Sequence, residues 1–164
     1  MIHIYRHPRD QWCSSLLDPK CFPATAPTSS FEPYDNFYLL MWARDLKYHF
    51  PFLNEWEAPH PYLLFYYIWK LSYLFGIQFA DHSLAFETLI AEPEGELRAL
   101  FKAVGIDHYD VARLKDLVVP QTLGKWTQYA SDDWFGEQEA VCEAVLASYL
   151  RSTQPAQVVG QKGR

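Results

Sequence analysis

The spacing of apolar residues changes several times along the chain, and each change marks an element. Ile2-His3-Ile4-Tyr5 is β-branched and aromatic with no breaker, which predicts a short strand. It stops at Arg6-His7-Pro8-Arg9-Asp10. Proline suits the first position of a helix, where its missing N–H costs nothing, and a carboxylate in the first turn complements the helix dipole. The pattern predicts strand, tight turn, and a helix running to about Leu17. From Asp18 to Pro33 the chain is rich in Pro, Ser and Thr and reads as a loop.

Helical periods dominate after that. Tyr34 to Phe50 reads as a helix with Phe37, Leu40, Met41 and Tyr48 on one face, stopped by Pro51. A loop follows to Pro61. Pro61 to Phe75 is apolar nearly all round and predicts a central helix closed by Gly76. Ser83 to Phe86 reads as a second, weak strand. The clearest helix starts at Pro93 and ends at Gly105, with Leu97, Leu100, Phe101 and Val104 at helical spacing and Glu94–Arg98 as an i, i+4 pair. Asp107 is expected to cap a short helix through Leu117. A loop at Gly124-Lys125-Trp126 precedes a last helix, Gly136 to Leu150, that should bury Val141, Val145, Leu146 and Tyr149. Ser152 to Arg164 reads as a polar, disordered tail. The expected organisation is one domain over residues 1–151 and a tail over 152–164. The fold class is α/β, with mostly helical content and a partial parallel sheet of few short strands. Two strands are too few for a parallel sheet covered on both faces, so either the fold is mostly helical or the sheet is incomplete.

Composition narrows the possible functions. Of 164 residues, 49% are hydrophobic and 21% charged, which excludes a disordered chain. The net charge of -6 argues against general affinity for nucleic acid or an anionic membrane. A bound anion needs a local cluster, and Arg6, His7 and Arg9 form one. The 17% aromatic content, dense between Phe31 and Phe86, suits core packing and also a lined ligand groove. Three cysteines, Cys13, Cys21 and Cys142, lack CxxC spacing and read as free thiols of a reducing compartment. The histidines show no ligand spacing, so no metal is expected. With polar residues where a secretory signal would be apolar, and no apolar run long enough for a bilayer, the expected location is cytoplasmic.

The most specific chemistry lies in Arg6-x-Pro8-Arg9-Asp10-x-x-x-Ser14 directly after a strand. A guanidinium at a strand end grips a phosphate with paired charge-assisted bonds, and a nearby helix start adds free N–H groups. This segment resembles the sulfotransferase family that uses 3′-phosphoadenosine 5′-phosphosulfate, in which an Arg ending a strand and a Ser eight residues later bind the nucleotide 3′-phosphate. Two further segments resemble the family in the same order. Phe86-Glu87-Thr88-Leu89 is similar to its Tyr-Glu-Asp-Leu before a Pro-started helix, and Gly124-Lys125-Trp126 is similar to its C-terminal Gly-x-Trp. The resemblance implies nucleotide contacts from Arg6, Ser14, Phe86, Gly124, Lys125 and Trp126, with Phe86 near the adenine but lacking a tyrosine's hydroxyl. The family's Arg-Lys-Gly before the last segment is replaced by Val119-Pro120-Gln121.

The resemblance, carried by three segments, implies the second reading of the sheet, an N-terminally incomplete domain, and also what this stretch of sequence leaves out. Sulfuryl transfer needs a cradle for the 5′-phosphosulfate, a cation for the leaving phosphate, and a base for the acceptor hydroxyl. The family keeps these upstream of the Arg–Ser motif, and only five residues precede Arg6. No Gly-x-x-x-x-Gly-Lys occurs later, and Asp132-Asp133 and Glu137-Glu139 read as a helix cap and a solvated face. The expectation is a nucleotide-binding portion of a sulfotransferase, with no catalytic residue of its own and inactive alone. Its partners would be an adenosine 3′,5′-bisphosphate-type nucleotide, an unidentified hydroxyl acceptor, and an N-terminal partner chain. The alternative is a non-catalytic helical binding protein.

Overall fold

The computed structural model describes residues 1–15 and 22–153, with Thr153 described by its backbone alone. The expected end of the first helix near Leu17, the start of the loop at Asp18, Cys21 and the tail beyond Thr153 lie outside the described residues. Elements follow in the order β1 (Ile2–Tyr5), α1 (Pro8–Ser15), α2 (Leu39–Leu46), α3 (Pro61–Phe79), β2 (His82–Ala85), α4 (Phe86–Ala91), α5 (Pro93–Ala103), α6 (Val111–Lys115) and α7 (Asp132–Thr153), with short 3-10 turns between some of them. The protein is mostly helical and carries one small parallel sheet, in which Ile2 pairs with His82 and Tyr5 with Ala85.

The core is built where three helices meet. α3 begins with Pro61 at its first position, and His60 caps it by accepting the Tyr62 N–H on Nδ1 at 3.1 Å. It runs beside α7 in the same direction: Tyr62 donates to Glu139 and Tyr66 to Glu143, each at 2.7 Å and each with the same offset in sequence. Trp12 of α1 sits on this pair, stacked on Phe31 at 5.8 Å and edge-on to Tyr62 at 5.6 Å. Trp12, Phe31, Leu53, Tyr62, Leu64 and Phe135 are fully enclosed. Burying side chains of this size stabilises each contact region by roughly 2–3 kcal/mol per residue.

Five sequence expectations are corrected by the structure. Tyr34 to Phe50 is not one helix, because the Asp35 carboxylate captures the Leu39 and Leu40 N–H groups at 2.7 and 2.8 Å and restarts the chain there. Tyr38 takes φ 63, so the helix that follows buries Leu39, Leu40 and Ala43 and leaves Tyr48 82% exposed. α3 does not close at Gly76. It continues to Phe79, because Gly76 is where the His3 ring packs, and a Cβ there would lie 2.4 Å from that ring. Phe86 opens α4 instead of ending the strand. On α7, Phe135, Cys142 and Leu146 point inward while Val141 is exposed. The short α6 is capped by Asp110, not Asp107, through the Arg113 N–H at 3.1 Å.

The Pro93–Ala103 helix forms as the periodicity predicts, and Gly105 at φ 72 ends it with Ile106 N–H bonded to Phe101 C=O at 2.9 Å. Its apolar stripe is nonetheless thinly covered: none of its residues is fully buried. Among the described residues, no helix is long and apolar enough to cross a membrane.

Candidate functional site

Arg6 lies in the turn between β1 and α1, and its side chain runs along the helix it precedes. The six steps of helix from Pro8 to Ser14 rise ~9 Å, a span the long guanidinium arm reaches. Arg6 Nη1 donates to Ser14 Oγ at 2.8 Å. The hydroxyl accepts that bond with its oxygen and keeps its own proton for another partner. The same guanidinium lies over the Phe86 ring, 5.0 Å from its centre. Arg6 Nε is buried without a hydrogen-bond partner, and Glu87 Oε1 stands 4.0 Å from it. Arg6, Ser14 and Phe86 are therefore brought together from β1, α1 and α4.

Two backbone contacts hold this junction. The Trp69 indole N–H donates to Arg6 C=O at 3.0 Å, tying the strand end to α3. The His7 N–H donates to Glu87 Oε1 at 2.9 Å, tying the turn to α4. Trp69 carries no signal in the sequence, because its role depends on a contact across 63 positions. Glu87 was legible only as part of the segment beginning at Phe86.

The Gly124-Lys125-Trp126 loop joins a different part of α1. Gly124, at φ 74, donates its N–H to the buried Asp10 carboxylate at 2.9 Å. Trp126 packs under Arg9, whose guanidinium lies 4.9 Å from the indole centre, and against Phe135 at 5.7 Å. Lys125 is exposed. The contacts of Gly124 and Trp126 clasp the loop to the helix start, and none of them reaches the Arg6 guanidinium.

Arg9 does not belong to the anion cluster that the sequence suggests. It forms a paired bond with Glu139, Nε to Oε1 at 2.8 Å and Nη2 to Oε2 at 2.9 Å, and a further ion pair with Asp132. Those carboxylates hold its proton more firmly than usual, the bond to Glu139 above all. Glu139 in turn accepts the Tyr62 hydroxyl at 2.7 Å, so it lies in a half-buried network and not on a solvated face. The usable cation at the site is Arg6.

Burial sets three further ionisable groups. It pushes the Cys13 and Cys142 thiols up to about 12, which leaves them protonated and poor nucleophiles. It holds His60 down to about 4, so that histidine is a neutral cap. Among the described residues, no group of three or more His, Cys, Asp or Glu side chains is placed to hold a metal ion. Comparison of the chain with family models, with curated proteins and with solved structures returns no match.

Proposed function

We propose that the junction of β1, α1 and α4 binds the 3′-phosphate of an adenosine 3′,5′-bisphosphate-type nucleotide, as part of a sulfotransferase-like protein using 3′-phosphoadenosine 5′-phosphosulfate. The two-stranded parallel sheet would then be part of a P-loop-like frame. The observation that carries this reading is the convergence of Arg6, Ser14 and Phe86: a fork of donors, a hydroxyl with a proton to give, and an aromatic face within 5.0 Å of the guanidinium. A dianionic phosphate monoester takes two charge-assisted bonds from such a fork and one from the serine. Among the described residues the carboxylate it competes with is Glu87, which stands off at 4.0 Å.

Binding and turnover separate in this proposal. None of the 164 residues forms a Gly-x-x-x-x-Gly-Lys cradle. The chain binds the nucleotide, and transfer of the sulfuryl group to a hydroxyl acceptor is assigned to residues of an N-terminal partner segment or chain. Calorimetric titration tests this. Adenosine 3′,5′-bisphosphate should bind at least tenfold more tightly than 5′-AMP, and Arg6→Ala should remove the difference. Equal affinity of the wild-type protein for the two nucleotides overturns the reading, and sulfation of any acceptor by the purified chain alone overturns the separation.

A second reading, a helical binding protein without chemistry, is favoured by the closure of the α1–α3–α7 core, which encloses Trp12, Tyr62 and Phe135 with no help from the sheet. It predicts indifference to both nucleotides.

A further inference from the structure

A cavity of about 300 Å3 lies between α2, the 3-10 turn at Glu32–Tyr34 and the loop that joins α2 to α3. Its frame is tied together. Thr28 donates its N–H to Pro59 C=O at 3.2 Å and its hydroxyl to Ala58 C=O, so the loops on either side of α2 are joined at the cavity wall. In the second loop, Asn54 accepts the Trp56 N–H at 3.3 Å and donates to Glu57 at 2.8 Å. That turn leaves Trp56 80% exposed while it lines the cavity, an aromatic face with no partner ring among the described residues.

Charge in this cavity is only partly paired. Arg44 gives its Nε–H to the Glu55 carboxylate, 3.0 Å from both oxygens, and the Glu55 side chain is only 11% exposed. This fixes the guanidinium but uses one of its N–H donors. Those on Nη1 and Nη2 make no hydrogen bond among the described residues. Glu32 stands 3.8 Å from Nη1, beyond hydrogen-bond reach, and its side chain is 76% exposed. A held cation with open donors therefore sits beside a carboxylate with open acceptors. Leu40, Pro27 and Pro59 add apolar walls.

A ligand with a single charge does not suit this arrangement. A lone anion would meet Glu32 and Glu55, and a lone cation would meet Arg44, each at the cost of an unfavourable contact. An ammonium and a carboxylate carried on one carbon answer both groups through charge-assisted bonds. We propose that this cavity binds a free α-amino acid with an apolar side chain. Its carboxylate takes the Nη donors of Arg44, its ammonium donates to Glu32, and Trp56, Leu40 and Pro59 cover its side chain. The volume lies at the low end of the roughly 300–1,000 Å3 of small-ligand sites, which suits a ligand of this size. No residue of the cavity belongs to the junction of β1, α1 and α4, so binding here does not depend on the nucleotide.

The test uses the full chain without nucleotide. L-Leucine is titrated by calorimetry beside L-leucinamide, which lacks the carboxylate, and N-acetyl-L-leucine, which lacks the ammonium. The indole N–H signal of Trp56 is followed by NMR. The expected result is saturable one-to-one binding of L-leucine, at least tenfold tighter than either analogue, with the Trp56 signal shifted. Glu32→Gln, at an exposed carboxylate, should weaken leucine binding at least tenfold with the melting temperature unchanged. Should that variant misfold, Arg44→Lys keeps the charge and removes the planar fork, and should weaken binding several-fold. The proposal is overturned by the absence of saturation up to about 1 mM, by equal or tighter binding of either analogue, or by unchanged affinity in a folded Glu32→Gln or Arg44→Lys variant.

Discussion

Two regions of this molecule are built from similar amounts of apolar sequence and bury it very differently. Around α1, α3 and α7, Trp12, Tyr62 and Phe135 are fully enclosed. From Ala85 to Trp134, not one side chain is fully buried, and Leu117 is 71% exposed. Local pattern is strong in both: α5 has a regular apolar stripe. What separates them is partners. α3 has α1, α2 and α7 against it, whereas α5 touches mainly α4, α6 and β2. A correct period makes a helix, but only a second surface makes a core. The residues proposed to meet a phosphate lie along the boundary, with Arg6 and Ser14 on the packed side and Phe86 on the lean one.

The comparison can be broken first at its strongest point. Phe135→Ala should cost about 3–5 kcal/mol in urea denaturation, because it opens a cavity under Trp126, Trp134 and Tyr62. Leu117→Ala should stay within about 0.5 kcal/mol. Similar costs at the two positions would erase the distinction.

Next comes the network that fastens α1 to α7. Glu139→Ala leaves the Arg9 guanidinium and the Tyr62 hydroxyl without their shared acceptor, and removal of one partner of a buried pair costs about 3 kcal/mol. Glu143→Ala serves as the control. It removes one phenol contact and a partly exposed ion pair with Lys70, and should cost about 1 kcal/mol.

A third effect depends on pH. His60 is held neutral to about 4 by burial, below its ordinary 6.5. The unfolded chain takes up the proton first as pH falls, so the stabilisation is complete above 6.5 and is lost progressively between 6.5 and about 4. At ~1.4 kcal/mol per unit the loss reaches roughly 3 kcal/mol. Urea midpoints of wild type and His60→Asn measured across that range should converge at low pH. A constant gap between them would contradict the assignment.

Much of this was legible before folding. Proline and glycine marked both ends of α5, the first strand stood clear, and the Arg6–Ser14 spacing pointed to a pair that the structure joins at 2.8 Å. The losses have two causes. Glu139 looks solvated on its own helix, and only Arg9, 130 positions away, makes it interior. Gly76 looks like a stop until His3 is placed on it. Asp35 reads as an ordinary helix residue because its capping bonds belong to a conformation that competes with the helix drawn through it. Each miss is a long-range contact or a local competition that periodicity does not register.

Native-state amide hydrogen exchange with and without adenosine 3′,5′-bisphosphate tests the central claim most directly. Without nucleotide, α3 and α7 should exchange only through global unfolding, and α5 and α6 orders of magnitude faster. With saturating nucleotide, added protection should concentrate at His7, Ser14 and the first turn of α4, and be absent from those residues in Arg6→Ala. Protection that is unchanged at the junction, or equal gains in wild type and Arg6→Ala, would contradict the account.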